Sequence, residues 1–554
     1  MPLLFLESMN EDPVSKQKGI TAPLARTTAA TGSGTQLNKV TSNGAERPGL
    51  EHTTTGSSMG SGLTAVTRLT TPTTTDSEGK IIYPFRIKHL GHDLYTLFAS
   101  SLQDRENWCS SIIEAKTRHA RALHAQNAEP FRLRVLSDGA FAYDAVSALG
   151  KQAGVSIRGT PLDRAIREME QVYGPGRGPA PVCRAQVNCA TAFNAYGKSI
   201  LAIGTDYGIY ISEASNPRGW TRSVQINRVV QIAVLEEFSV CLVIADKSLI
   251  SYPLDVVAPI SNFPAPVHDN PRRAPQRLAK DVAFFATARM KDRMLLFYKR
   301  KEGMHNTFKV LEPVFQKATE KRPRIFGGRK SGSGNTESFR DFDEFYLPTE
   351  CYSLNLFQTY IAVASAKGFE LLTLDKKIPQ SIPRDLTSAA TANIASRIRD
   401  QRPLGMFRLN DQEFLLAYED CAVYVDKHGE VSRTLIMEYS GKQKKARGAT
   451  MFGQYLVLFN EDYVEVRNAE NGRLRQIIAG RDVRCLDYGF RGPAGGSNSS
   501  SSPGGGAQMP SGQDPKGTVK ICMSHPEVPG GQIVLEMLLN DGHREEHSRA
   551  DKNM

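Results

Sequence analysis

Seven stretches of this chain repeat one form, and that repetition restricts the fold more than any other feature. Each is an apolar strand, a turn of about three or four residues and a second strand. The first three are 199–212 (SILAIGTDYGIYIS), 238–252 (FSVCLVIADKSLISY) and 293–310 (RMLLFYKRKEGMHNTFKV). The next three are 359–374 (TYIAVASAKGFELLTL), 413–425 (EFLLAYEDCAVYV) and 454–466 (QYLVLFNEDYVEV), and the last is 519–538 (VKICMSHPEVPGGQIVLEML). Their turns fall near residues 206, 246, 302, 366, 420, 462 and 529, so two intervals are 40 and 42 residues and the others 54 to 67. A lone hairpin is marginal in water. A repeat of about 40 residues made of short strands is the signature of propeller blades, because radial stacking buries each blade against its neighbours and leaves only short, protected edges. Helical repeats are disfavoured by the β-branched content and the frequent turns. The pattern predicts a mainly β chain with a seven-bladed β-propeller over 181–540. It also predicts that 131–136 (FRLRVL) supplies an outer strand that closes the ring against the last hairpin.

The longest intervals hold two inserts, a basic Gly/Ser-rich one at 317–336 and another at 492–512 that is almost free of apolar side chains. Both are expected to be disordered, with bounds near 317–340 and 491–516. Residues 9–80 are rich in Thr, Ser, Gly and Ala and poor in large apolar residues. Such a segment buries too little surface to offset its ordering entropy, and disorder is expected there. Order resumes at Tyr83. Two strands, 83–90 and 93–100, are joined by a Gly91-His92 turn and followed by a helix. Ser101 is its expected N-cap, with Asp104 in the capping-box position. Trp108, Ile112 and Ala115 recur at helical spacing, which reads as a core-facing stripe containing Trp108. Residues 127–180 form a connector, with a short helix over 161–173 that starts at Pro161. A tail covers 541–554.

Apolar residues make up 40% of the 554, enough for a sizeable core. With 69 basic and 58 acidic side chains the net charge is +11, which suits an anionic membrane surface or an acidic protein face without requiring either. The eight cysteines stand singly, with no CxxC pair, as in a reducing compartment. Metal ligation needs clustered spacing, so neither metal nor cofactor is expected. Residues 1–7 are too short for a signal-peptide core, and no apolar run approaches the ~20 residues of a membrane span. The expected location is cytoplasmic, peripheral to the plasma membrane at growth sites.

Motifs that carry chemistry elsewhere have plainer readings here. His543 to His547 (HREEH) matches a zinc pattern but lies in a polar tail with no third ligand nearby. The glycine-rich 174–178 and 327–331 lack the order and context of phosphate loops. Asp206, Asp246, Asp420 and Asp462 sit at the hairpin turns, where Asp bonds its own backbone. The strongest basic run holds Lys317, Lys321, Arg322, Arg324, Arg329 and Lys330, and 441–447 (GKQKKAR) is a second. The plain reading of both is solvated loops; the functional one is a contact with anionic lipid or an acidic partner. Nucleic acid is disfavoured, since no aromatic platform is interleaved with the charges. No catalytic constellation appears, and no enzyme activity is expected.

Several long segments match a known family in order. The segments 198–212 and 229–255 (VVQIAVLEEFSVCLVIADKSLISYPLD) resemble the start of a citron homology (CNH) domain. Segments 339–350 (FRDFDEFYLPTE) and 472–487 (GRLRQIIAGRDVRCLD) resemble its fungal version. The stretch 83–113 resembles the last strands and C-terminal helix of a pleckstrin homology (PH) domain, with Trp108 at that fold's helix tryptophan. Residues 2–8 (PLLFLES) resemble an earlier strand of it. This partial PH domain, 1–8 with 81–126, followed by a CNH domain resembles the C-terminal portion of fungal Rho guanine-nucleotide exchange factors. The resemblance implies a regulatory part that binds a Rho-family GTPase or cortical signalling proteins in cell-wall integrity and polarity. In that family a helical domain before the PH domain catalyses exchange, and no stretch before residue 80 reads as that domain. The chain is therefore read as a fragment, a truncated gene product or a split protein. A CNH-type vesicle-tethering adaptor is the alternative, although such proteins continue into a helical solenoid. A kinase-associated regulator is a third reading, without any kinase motif in its favour.

Overall fold

The computed structural model describes residues 4–9, 11–16, 80–90, 94–149, 156–175, 180–259, 274–302, 305–315, 338–441, 445–487, 518–540 and 542–543. A small N-terminal sheet comes first. It contains β1 (Leu4–Ser8), β2 (Val14–Lys16), β3 (Lys80–His89) and β4 (Leu94–Ala99). β3 is long enough to pair with β1 and β2 in succession on one side, and it pairs with β4 on the other. Val14–Lys16 therefore lies in the sheet and not in the disordered stretch expected from residue 9; 17–79 lies outside the described residues.

Helix α1 (Leu102–Ala125) starts at the expected cap, where the Ser101 side chain accepts from the Asp104 amide at 3.0 Å. It lays Cys109 against Leu6, Phe85 and Ala99, flanked by Ile112 and Ile113. Trp108 corrects the sequence reading: its side chain is 52% exposed. One residue turns the helix by about 100°, so once Cys109 faces the sheet its neighbour points away. Arg105, one turn before Cys109, is buried as well and donates to the Glu11 carbonyl at 2.7 Å.

After α1 come β5 (Phe131–Ala142), α2 (Ala145–Ala148), α3 (Pro161–Tyr173) and β6 (Cys183–Arg184). The hairpins of the sequence then appear as the two middle strands of consecutive sheets. Six antiparallel four-stranded meanders occupy 187–224, 229–279, 282–347, 351–382, 403–438 and 448–479. Three of their second strands are apolar runs buried along their full length, Val240–Ala245, Ile361–Ser365 and Tyr455–Phe459. Such runs need a neighbour on both faces, and stacked sheets supply it.

The seventh sheet draws on both ends of the region. Arg484–Cys485, Val519–Ser524 and Gly531–Leu539 are followed in space by β5 and β6. β5 pairs antiparallel with Gly531–Leu539, from Phe131 opposite Leu539 to Ala142 opposite Gly531, so the expected strand at 131–136 extends to residue 142. The 127–180 connector is not a free linker, because α3 buries Leu162, Ala165, Ile166 and Met169 in the core shared by the sixth and seventh sheets.

Separate apolar cores join each sheet to the next. Val243 of the second sheet packs with Ile209 of the first, Leu296 of the third with Leu242 of the second, and Ile361 of the fourth with Phe297 of the third. The fourth and fifth sheets share Phe369 and Leu416, the fifth and sixth Tyr424 and Leu456, and the sixth and seventh Val457 and Ile521. A last core sets Val534 and Phe141 of the seventh sheet against Leu201 and Tyr210 of the first. The inserts expected at 317–336 and 492–512 lie outside the described residues.

Candidate interaction surfaces

The aspartates at the hairpin turns do not converge. Asp206 accepts from Asn188 Nδ2 at 2.9 Å, Asp246 pairs with Arg228 at 3.2 Å, Asp420 with Arg397 at 2.9 Å and Asp462 with Lys88 at 2.8 Å. Their partners come from neighbouring elements, where the sequence reading had turn backbone. Among the described residues no three His, Cys, Asp or Glu side chains come together as metal ligands.

The candidate contact residues Lys317, Lys321, Arg322, Arg324, Arg329 and Lys330 lie outside the described residues. In the second basic run Lys445 pairs with Glu419 and Arg447 with Glu461, each at 3.0 Å, while 442–444 is not described. Exposed pairs of this kind contribute about 0–1 kcal/mol. His543 has a structural post: its Nδ1 lies 2.7 Å from the Asn127 carbonyl oxygen and its ring sits beside Tyr455. The rest of the HREEH motif is not described.

Buried amide side chains hold the backbones of adjacent sheets, a feature sequence reasoning missed. Gln231 Nε2 donates to the Phe285 carbonyl at 2.7 Å, and its Oε1 accepts from the Phe285 amide at 3.1 Å. Gln476 does the same to Phe131, with both bonds at 2.9 Å. Gln532 accepts from the Val187 amide at 3.0 Å and donates to the Ala185 carbonyl at 2.8 Å. The signal in the sequence is faint: a lone Gln within an apolar strand. Arg484 joins the third of these clasps, donating to Gln532 Oε1 at 3.0 Å and to the Tyr143 hydroxyl at 3.1 Å. Burial pushes the Tyr143 phenol well above its ordinary range. It likewise raises the Cys241, Cys351 and Cys421 thiols to about 12, and all eight cysteines are free and buried. Those raised thiols hold little thiolate at neutral pH and are poor nucleophiles.

The N-terminal sheet is seated on the sixth of the stacked sheets. Phe5 and Leu90 pack on Tyr463, beside Ile477 and Ala479. Two ion pairs flank this contact, Lys88 with Asp462 at 2.8 Å and Glu7 with Arg481 at 2.7 Å. Lys116 ties α1 to β1, donating to the Leu4 carbonyl with its ammonium 3.5 Å from the Phe5 ring centre. Burial lowers its pKa to about 8.

The described residues thus form consecutive sheets that buried Gln side chains tie together. The CNH domain profile matches residues 197–489, more than half of the chain, and the chain belongs to the CNH-domain family. CNH domains are non-catalytic interaction modules, and the likeness to exchange factors falls in their non-catalytic portion. Rho1 guanine nucleotide exchange factor 3 of Schizosaccharomyces pombe is 30% identical over 433 residues, covering 73% of this chain and 32% of that protein. Rho1 guanine nucleotide exchange factor 2 of the same organism is 29% identical over 307 residues, covering 54% and 25%. The chain thus spans about a third or less of the curated relatives it matches. The solved AfRom2 CNH domain aligns with a TM-score of 0.47 at 22% identity, covering 63% of this chain and 94% of that one. No helix among the described residues is long and apolar enough to cross a membrane.

Proposed function

We propose that this chain is the regulatory, non-catalytic portion of a Rho guanine-nucleotide exchange factor, and that it binds a Rho-family GTPase or its cortical partners. The observation that carries this reading is the 30% identity to an S. pombe Rho1 exchange factor across 73% of the chain. In this reading the seven consecutive sheets form a seven-bladed β-propeller, with β5 as the strand that closes the ring. The N-terminal sheet and α1 are the remaining part of a PH domain, and the role is in cell-wall integrity and polarity signalling. The location is cytoplasmic and peripheral to the plasma membrane. A rigid array of this kind presents its connecting loops for recognition. The basic residues Lys317, Lys321, Arg322, Arg324, Arg329 and Lys330 are the proposed electrostatic contact.

The test is titration of the full chain against a purified fungal Rho1-type GTPase in GDP-bound, GTP-analogue-bound and nucleotide-free forms. Saturable binding that weakens when the six basic residues are reversed to Glu, with no faster release of a fluorescent GDP analogue, is the expected result. Absence of binding to every form, or faster GDP release caused by this chain alone, would overturn the proposal.

A further inference from the structure

The free edge of the N-terminal sheet differs from the other sheet edges. β4 (LYTLFA) pairs with β3 along its whole length, from Leu94 opposite Lys88 to Ala99 opposite Tyr83, without a register shift. Among the described residues no strand pairs with its other side. The strand carries no charge and no proline, and Tyr95, Leu97 and Phe98 are 42%, 43% and 55% exposed. The outer strands of the first five stacked sheets are guarded. The outer strands Thr221–Val224, Gln276–Ala279, Gln380–Ile382 and Met437–Glu438 have only 4, 4, 3 and 2 residues. The long outer strand Phe339–Leu347 carries four charges and pairs across a register shift. Short strands, charges and bulges are what keep an edge from pairing with another chain, and an apolar edge without them is a pairing template.

We propose that β4 is a dimerisation edge, and that it pairs antiparallel with β4 of a second copy of this chain about a two-fold axis at Thr96. The strand is its own complement in that register. Leu94 falls opposite Phe98, Tyr95 opposite Leu97, and Thr96 opposite Thr96. Aromatic–aliphatic and Thr–Thr pairs are favourable when directly opposed, and no charge meets a charge. The contact is isologous, as a two-fold interface requires. Leu102 and Trp108 of α1, the helix packed beside β4, are also exposed, at 45% and 52%.

The test is sedimentation of the full chain over a wide concentration range, with two variants at the axis. Thr96→Lys and Thr96→Glu each place like charges directly opposite one another and are expected to weaken dimerisation about tenfold or more. Mixing the two variants should restore a heterodimer, a result that misfolding does not produce. As a second measurement, Thr96→Cys should form an intermolecular disulfide on mild oxidation, since opposed residues of antiparallel strands lie within disulfide reach. The native cysteines are all buried, so background cross-linking is low. A wild-type chain that stays monomeric throughout, or a dimer indifferent to the Thr96 charges and not cross-linked at residue 96, would overturn the proposal.

Discussion

Gln532 and Val187 join the two ends of the stacked-sheet region: the side-chain oxygen of Gln532, in the seventh sheet, accepts from the Val187 amide, which opens the first. The same amide group donates to Ala185, and Arg484 holds its oxygen from the other side. Gln532 and Val187 are both fully buried. Replacing Gln532 by Leu leaves the Val187 N–H and the Ala185 carbonyl without their partner, at about 1–3 kcal/mol for each group. We expect Gln532→Leu to lose about 2–5 kcal/mol in denaturant unfolding, and Gln532→Glu, which keeps the acceptor, to lose less. Equal stability for all three proteins would show that the clasp contributes nothing.

The seat of the N-terminal sheet gives a second prediction. Lys88 and Asp462 are both largely withdrawn from solvent, so reversing one charge sets two like charges together. Lys88→Glu should cost about 1–3 kcal/mol at this contact. It should speed amide hydrogen exchange in β1 and β3 about tenfold or more, while the stacked sheets stay protected. Adding Asp462→Lys should recover most of the protection. Fast exchange that persists in the double variant would mean that packing around Tyr463, and not the ion pair, holds the seat.

Buried phenols set an alkaline limit. Burial lifts Tyr210, Tyr252 and Tyr424 to about 12, and raises Tyr418, Tyr439 and Tyr463 as well. In the unfolded chain they ionise near pH 10. The folded state then holds more protons than the unfolded one, so stability present below about pH 10 is lost as pH rises towards 12. Tyrosinate absorbance at 295 nm should therefore appear from these groups together with loss of the far-ultraviolet β signal. Full ionisation of all tyrosines near pH 10 with the fold intact would contradict the burial.

The middle strands of the sheets were legible because each is an apolar run broken by a tight turn, and 240–245 or 455–459 reads as nothing else. The outer strands were not legible. Thr221–Val224 and Met437–Glu438 are short and polar, and pairing alone makes them strands. β5 was readable at Phe131–Leu136 from its alternation, but its continuation through Ser137, Asp138 and Gly139 has no strand signature and follows from pairing with Gly531–Leu539. Trp108 misled because two overlapping stripes have helical spacing, and the one packed on the sheet is that of Cys109, Ile112 and Ile113. The amide clasps and the Lys88–Asp462 pair join residues far apart in the chain, and nothing local marks them. The basic contact at 317–330 was a reading of composition and stands as a proposal.

The proposed ring needs β5, a strand from before the repeats, to tie the seventh sheet, and a pair of cysteines tests that most directly. Arg132 and Leu538 lie opposite each other where β5 pairs with Gly531–Leu539, within the spacing a disulfide spans. The double variant Arg132→Cys, Leu538→Cys should cross-link nearly completely within one chain on mild oxidation, and the oxidised form should melt higher than the reduced one. A folded protein in which these two thiols stay free would contradict the closure, and with it the scaffold proposed to bind the GTPase.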